Sequence, residues 1–224
     1  LPKGCFQNMA VGSERIEAII KDDRIKAVTL TGSKPAGAAV ASTAASVIKK
    51  AVLELGGSNA LVVFPDCNMK ETIETCVKAR FQNTGQSCIA GKRLLIHDSI
   101  FDEFSSAFAK AVTQLKSGDP EDSDTYIGVM AREDLAEELA TQLKASVDQG
   151  AKVLLGGHRQ NAYFEPTVVT GVTPETSLFK EETFGPVIGL TPFSTDEEAV
   201  SLVNQSEFGL GVSIFTESQK RIEK

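Results

Sequence analysis

The sequence lacks several residues and motifs that define whole classes of protein. Its 224 residues include no tryptophan and only two histidines, so a histidine metal cluster or a Cys-His dyad has few residues to use. The four cysteines form no CxxC pair, which argues against a zinc site or a dithiol motif. We therefore expect no metal site and a reduced, cytoplasmic protein without disulfides.

Long apolar stretches and basic patches are also missing. Without a run of about 18 apolar residues, we expect no membrane-spanning helix, and the first residues carry no apolar signal-peptide core. The net charge is −7 and neighbouring basic residues occur only as pairs, which argues against nucleic acid as a partner. The sequence starts without methionine, which fits a piece of a longer protein.

Short apolar runs that alternate with helical patterns make up most of the chain. The runs predict strands at 25–32, 51–57, 60–65, 92–97, 151–157, 166–172, 186–193 and 210–216. A helix is predicted over 35–50, with Lys49 and Lys50 at its C-terminal end, and others begin near Asn68, Ser99 and Thr195. The alternation indicates an α/β fold with parallel-rich sheets flanked by helices.

The segment FQNTGQSCIAGKR (81–93) contains the first candidate residue, Cys88. A cysteine is a nucleophile when its surroundings favour the thiolate and leave it accessible. The small residues and backbone amides before Cys88 could stabilise an oxyanion. The alternative is a small hydrophobic side chain near a turn, as expected for Cys76 on an apolar helix face.

Three further segments could take part in binding or catalysis. Glu54 interrupts the apolar run AVLEL (51–55) and is either a strand-end general base or a solvent-facing residue of an alternating strand. Gly32 and Ser33 lie where a strand meets a helix, a place that can bind phosphate or be a plain turn. In EETFGPV (181–187), Glu181 and Glu182 are most simply solvated loop charges before a shaped turn.

Five segments, in this order along the chain, resemble the aldehyde dehydrogenase superfamily. They are TGS (31–33), LELGG (53–57), FQNTGQSC (81–88), EETFGPV (181–187) and EFGLGVSIFT (207–216). The separation of Glu54 from Cys88 along the chain also fits that family. Two other segments, GVMAREDLAEEL and FEPTVVTGVTPE, look closest to bacterial succinate-semialdehyde dehydrogenases. This resemblance implies oxidation of an aldehyde, such as succinate semialdehyde, to its acid with NAD or NADP.

The resemblance also implies roles for individual residues. Cys88 would attack the aldehyde to give a thiohemiacetal and then a thioester, with its own N–H as one oxyanion donor, and Glu54 would activate the hydrolytic water. The cofactor would be bound by Gly32 and Ser33 near the pyrophosphate, by Gly56, and by Glu182 and Phe184 near the nicotinamide and its ribose.

The domains implied by the resemblance are incomplete. Residues 1–56 would be the C-terminal part of a Rossmann-like NAD(P)-binding domain, and residues 57–224 a catalytic domain lacking its C-terminal end. An asparagine of the oxyanion hole and a lysine for the adenine ribose would lie upstream of this chain. We therefore expect the chain alone to be inactive, and the parent enzyme to be a homodimer or homotetramer.

Some alternatives stay open at this point. Certain semialdehyde dehydrogenases have an arginine for the substrate carboxylate where this chain has Gln82, so another aldehyde is possible, with Arg80 or Arg93 as candidate substitutes. Acyl-transferring members pass the thioester to coenzyme A and usually lack the base, so Glu54 argues against them. A non-catalytic module that retains an old active-site sequence is the third alternative.

Overall fold

The structure, a computed structural model, describes residues 1–223, which form two units. The first unit is Leu1–Gly56 and the second starts at Gly57. The first unit contains helix α1 (Ile16–Lys21), strand β1 (Ala27–Thr31), helix α2 (Lys34–Ser46) and strand β2 (Lys50–Glu54). The two strands pair in parallel with Thr31 opposite Glu54, so both strands end at the same sheet edge.

The helix predicted over 35–50 is shorter than the sequence indicated. It ends at Ser46, and Lys50 already belongs to β2. Ile48 adopts a left-handed conformation with φ 53°, which turns the chain back toward the strand. Lys49 thus lies after the helix, and its Nζ donates to the carbonyl oxygens of Ile20 and Asp22 at 2.7 and 2.5 Å.

The second unit is built on a six-stranded sheet with the order β10-β3-β4-β9-β8-β5. Every neighbouring pair is parallel except β5 and β8, which are antiparallel. The prediction of an α/β fold with parallel-rich sheets is confirmed. The strands are β3 (Asn59–Val63), β4 (Gly91–His97), β5 (Lys152–Leu155), β8 (Thr167–Thr170), β9 (Val187–Phe193) and β10 (Val212–Phe215).

Helices cover both faces of this sheet. They are α3 (Met69–Phe81), α4 (Phe101–Val112), α5 (Glu133–Asp148), α6 (Ser177–Lys180), α7 (Asp196–Asn204) and α8 (Gln219–Ile222). Successive side chains of a strand point to opposite faces of the sheet. Val62 and Leu95 pack in the core under α5 and α7, whereas Leu61 and Leu94 pack in the core under α3 and α4. Two cores therefore fix the inner strands β3 and β4 from both sides.

Local sequence signals account for several helix ends. The Asn68 side chain accepts from the Glu71 N–H at 3.3 Å, and the Thr195 hydroxyl accepts from the Glu198 N–H at 3.1 Å. A short hairpin of β6 (Arg159–Gln160) and β7 (Tyr163–Phe164) was not predicted, since two-residue strands carry no periodic pattern. Within residues 1–223, no helix has the length and apolar character needed to cross a membrane.

Candidate functional site

The loop before Cys88 has an unusual backbone. Helix α3 ends at Phe81, and Asn83, Thr84 and Gly85 then follow with φ of 54°, 55° and 70°. A β-branched residue such as Thr84 rarely adopts positive φ, and residues in such conformations concentrate at functional sites. The loop therefore needs its neighbours to hold it in place.

Side-chain hydrogen bonds to a neighbouring segment hold this loop. The Asn83 side-chain amide donates to the Gln86 carbonyl at 3.0 Å. The Thr84 hydroxyl accepts from the Gly128 N–H at 3.3 Å, and the Gln86 side-chain oxygen accepts from the Ala131 N–H at 2.8 Å. These bonds offset part of the cost of the left-handed run.

Two glycines allow three loops to approach one another around Cys88. A Cβ atom on Gly85 would lie 2.5 Å from the Gly185 carbonyl oxygen, and one on Gly57 would lie 2.5 Å from the Cys88 carbonyl oxygen. Both distances are shorter than any allowed contact, so these positions require glycine. The loops after α3, before β3 and before β9 consequently meet at the cysteine.

Cys88 is half-buried at the end of this loop. Within the described residues 1–223, no oxygen accepts a hydrogen bond from its backbone N–H. An N–H that is unused in the protein is suited to bind an oxyanion formed next to the sulfur. The surroundings of Cys88 thus provide a nucleophilic atom and an adjacent donor.

The other cysteines of the second unit lie in different surroundings. Cys76 is fully buried, and this burial raises the pKa of its thiol far above the ordinary value. Burial also raises the pKa of Cys67, which is half-buried. Both thiols should therefore contain less thiolate near neutral pH than an ordinary cysteine.

A buried lysine lies against the Cys88 loop. Lys92, in strand β4, is fully buried, and its Nζ donates to the carbonyl oxygens of Ser87 at 2.8 Å and Cys88 at 3.1 Å. Its third partner is Oε1 of Glu182, at 3.0 Å. The three N–H groups of the ammonium thus have three acceptors, so the buried charge is both paired and hydrogen-bonded.

Glu182 and Phe184 are brought to the same place by the loop before β9. The Glu182 carboxylate is largely buried, with 20% of its side chain exposed, and its Oε1 also accepts from the Gly57 N–H at 3.1 Å. The Phe184 ring is exposed, and its centre lies 5.9 Å from Lys92 Nζ. The interpretation of Glu182 as a solvated loop charge is therefore wrong.

Glu181 is not a free surface charge either. Its carboxylate accepts from the Ser177 hydroxyl at 2.7 Å and from the Gln142 side-chain amide at 3.0 Å. The same amide donates to the Glu182 carbonyl at 3.2 Å. These contacts hold Glu181 against α5 and α6, whereas the neighbouring Glu182 side chain turns toward Lys92.

A fully buried arginine near the end of α3 binds the loop before β9. The Arg80 guanidinium donates to the carbonyl oxygens of Gly91 at 3.4 Å, Thr183 at 2.8 Å and Gly185. Burial lowers the pKa of Arg80 to about 9, and the nearby Glu182 carboxylate opposes this change. Because all three acceptors are carbonyls, the geometry favours the protonated guanidinium at neutral pH.

The structure excludes Arg80 and Arg93 as substrate-binding substitutes at Gln82. Arg93 is also buried, and it donates to the carbonyl oxygens of Ser58, Leu202 and Val203 at 3.0, 2.9 and 3.1 Å. Both guanidinium groups are thus used to hold backbone segments. Gln82 itself is exposed.

The remaining predicted residues lie in the first unit; they are Gly32, Ser33, Glu54 and Gly56. The Gly32 N–H donates to the Glu54 carbonyl oxygen at 3.0 Å, so the ends of β1 and β2 are joined. Ser33 caps α2, with its hydroxyl 3.5 Å from the Ala36 nitrogen. The side chain of Glu54, the last residue of β2, is exposed, and Gly56, two residues further on, lies outside any helix or strand.

The structural roles of Lys92 and Arg80 were not predicted. Lys92 is recognisable in the sequence only as one of a pair of basic residues at the start of an apolar strand, which usually marks a strand end at the surface, and Arg80 was considered only for substrate binding. Their acceptors at 182–185 lie far away in the sequence and become neighbours only in the folded sheet. Within the described residues 1–223, no group of three or more His, Cys, Asp or Glu side chains could hold a metal ion.

Known proteins are similar to this chain over nearly its whole length. The sequence model of the aldehyde dehydrogenase family matches residues 1–224. A succinate semialdehyde dehydrogenase of Escherichia coli (strain K12), named with NAD(P)+ as its cofactor, is 43% identical over 99% of the chain and 49% of its own length. A succinate-semialdehyde dehydrogenase of Mycobacterium avium (strain 104), named with NADP+, is 43% identical over 96% of the chain and 46% of its own length.

A solved structure shares the fold as well as the sequence. The succinate-semialdehyde dehydrogenase of Burkholderia pseudomallei superposes with a TM-score of 0.90 at 32% identity, covering 93% of this chain and 44% of that one. The chain therefore spans about half the length of the relatives it matches. The resemblance inferred from the five motifs is confirmed at the level of the family.

Proposed function

The chain belongs to the aldehyde dehydrogenase family, and we propose that it forms part of an enzyme that oxidises an aldehyde to a carboxylic acid with NAD or NADP. The observation that carries the proposal is the half-buried Cys88, with an unused N–H and a buried Lys92–Glu182 pair beside it. We further propose that residues 1–56 belong to the cofactor domain and the rest to the catalytic domain.

In this proposal the chemistry begins at the Cys88 sulfur. The thiolate attacks the aldehyde carbon and forms a carbon–sulfur bond, and the Cys88 N–H donates to the resulting oxyanion. Loss of a hydride leaves a thioester on the sulfur, and NAD or NADP supplies the hydride acceptor. Glu54 then takes a proton from water, which attacks the thioester, releases the acid and returns the thiolate.

Each unit, taken by itself, contains residues that suit one part of a dinucleotide. Both donors to the Glu182 carboxylate reach Oε1, and Oε2 accepts from no group within residues 1–223, so it can accept from ribose hydroxyls. In the first unit, the Gly32-Ser33 turn precedes the 13-residue helix α2, whose N-terminal N–H groups and dipole suit a pyrophosphate. Phe184 offers an exposed ring for the nicotinamide, and Gly56 adds no side chain.

Succinate semialdehyde is the substrate we propose first, because the relatives above are named for it. Gln82 is the observation that favours another aldehyde, since it is neutral and neither neighbouring arginine is available for a carboxylate. Measured turnover of succinate semialdehyde against an uncharged aldehyde of the same length would separate these two substrates. The presence of Glu54 favours release of the free acid over transfer to coenzyme A.

The proposal is tested with the complete reading frame that contains these residues. We expect it to reduce NAD+ or NADP+ in the presence of succinate semialdehyde, and Cys88→Ser to lower kcat by about 10³-fold or more. Cys76→Ser is the matched control, which should retain activity if it folds. No reduction of either cofactor with any aldehyde by the folded protein, or full activity of Cys88→Ser, would overturn the proposal.

A further inference from the structure

Lys92 is a buried charged residue that the proposed reaction does not use. Its ammonium contacts two parts of the site at once, the carbonyl oxygens of Ser87 and Cys88 and the Glu182 carboxylate. The other charged groups that interact with it are the Arg80 guanidinium and the Cys88 sulfur when ionised. Lys92 is therefore the direct link between the cysteine loop and the carboxylate proposed to bind the cofactor ribose.

A carboxylate near a reactive thiol creates an electrostatic problem. Oε1 of Glu182 lies 3.0 Å from Lys92 Nζ, and the Cys88 sulfur when ionised also interacts with the Lys92 charge, so both anions act on the same ammonium. Repulsion between two like charges in one site disfavours the thiolate. A cation that interacts with both anions offsets this repulsion.

A structural role alone does not require a charge at this position. Taking an ammonium out of water is costly, and two of the three acceptors of Lys92 are neutral carbonyl oxygens, which a neutral donor could also satisfy. Burial lowers the pKa of Lys92 overall, and the hydrogen bond and charge of Glu182 oppose this change. The charge itself is thus the feature that needs an explanation.

We propose that Lys92 is a positioning residue whose ammonium neutralises Glu182 and holds the Ser87 and Cys88 carbonyls, which allows Cys88 to ionise beside a carboxylate. The inference rests on the proposed roles of Cys88 and Glu182. It predicts that the damage caused by removing Lys92 depends on the charge of Glu182, and not only on the lost hydrogen bonds.

The test measures alkylation of Cys88 by iodoacetamide across pH, with peptide mapping to separate it from the other three cysteines. Lys92→Met removes the ammonium that pairs with Glu182, so the midpoint of the pH–rate profile of Cys88 alkylation should rise by about one pH unit and the rate at pH 7 should fall about tenfold. The double variant Lys92→Met/Glu182→Gln removes both charges, and its midpoint should return most of the way to the wild-type value.

Lys144→Met is the matched control, because Lys144 also pairs with a carboxylate, Asp148 at 2.5 Å, but is exposed. It should leave the Cys88 profile unchanged. A Lys92→Met profile equal to wild type, or a double variant as slow as the single one, would overturn the inference. If circular dichroism shows that Lys92→Met does not fold, the double variant decides: a near-wild-type midpoint supports the inference, and a midpoint raised by a full unit contradicts it.

This assay also separates failure of the inference from failure of the proposed function. If wild-type Cys88 reacts no faster than the exposed Cys5, the nucleophile assignment fails. If wild-type Cys88 reacts fast and Lys92→Met reacts equally fast, only the role of Lys92 fails. Neither outcome depends on turnover of an aldehyde.

Discussion

Cys88 and Glu54 have opposite surroundings, although the proposed reaction needs both. Cys88 lies in a loop held by two fully buried charged side chains, Lys92 and Arg80, and by close contacts that only glycine permits. Glu54 ends a strand of a two-stranded sheet, with its side chain exposed. The second unit therefore fixes the cysteine by itself, while the first unit fixes only the backbone of the glutamate.

This difference predicts which substitutions should change the stability of the fold and which should change only the proposed reaction. Around Cys88, the side chains that shape the loop also satisfy buried carbonyl groups, so their removal should affect stability and reactivity together. At Glu54, the carboxylate contributes little to packing, so its removal should affect the reaction only. The expected loss in the free energy of unfolding therefore decreases from substitution of Arg80 through Gly85 to Glu54.

Arg80→Met should cause the largest loss of stability. The substitution leaves the carbonyl oxygens of Gly91, Thr183 and Gly185 buried without their donor, and we expect the free energy of unfolding to fall by about 3 kcal/mol. Urea unfolding followed by tyrosine fluorescence measures this in the second unit, because both tyrosines, Tyr126 and Tyr163, lie there and tryptophan is absent.

Arg132→Met provides the control for Arg80→Met. Arg132 also makes a charged contact, with Asp134, but about two thirds of its side chain is exposed. Its removal should leave the unfolding curve nearly unchanged, since exposed ion pairs contribute little. Equal curves for Arg80→Met and Arg132→Met would show that the Cys88 loop does not depend on the buried guanidinium.

Gly85→Ala should have an intermediate effect. Alanine at φ 70° is strained, and its Cβ would also meet the Gly185 carbonyl oxygen, so we expect a loss of about 2 kcal/mol and slower alkylation of Cys88. Gly150→Ala separates the two causes, because Gly150 has φ 104° but no atom within 4 Å of the added Cβ. A loss in Gly85→Ala no greater than in Gly150→Ala would mean that the contact with Gly185 is unimportant.

The sequence predicted the elements whose signals are local. Phe104, Phe108 and Val112 recur at helical spacing and are buried along α4, and Thr195 caps α7 as expected. The end of α2 was predicted four residues too late, because the contacts of Lys49 with Ile20 and Asp22 depend on how the chain returns. Contacts between residues far apart in the sequence leave no pattern in any single segment.

In the candidate site too, only the residues that belong to local sequence motifs could be predicted. The motifs located Cys88, Glu182 and Phe184, which the structure brings together, and their chemical roles stay predictions until tested. The structural roles of Lys92 and Arg80 could not be predicted, because basic side chains are normally exposed and the acceptors at 182–185 are contributed by a loop 90 residues away or more. Burial of a charge is a property of the folded sheet, and residue type alone does not indicate it.

Glu54→Gln should have the smallest effect on folding and still impair the reaction. The exposed amide replaces a carboxylate of the same shape, so we expect the free energy of unfolding, followed by circular dichroism, to change by less than about 0.5 kcal/mol. In the complete enzyme, loss of the base should slow thioester hydrolysis about 10²-fold, seen as a burst of reduced cofactor followed by slow turnover. Glu17→Gln, another exposed carboxylate of the first unit, should leave both phases unchanged. If the Glu54→Gln enzyme shows no burst and turns over normally, Glu54 is not the base. Of these two residues, only Cys88 would then keep a role in the proposed reaction.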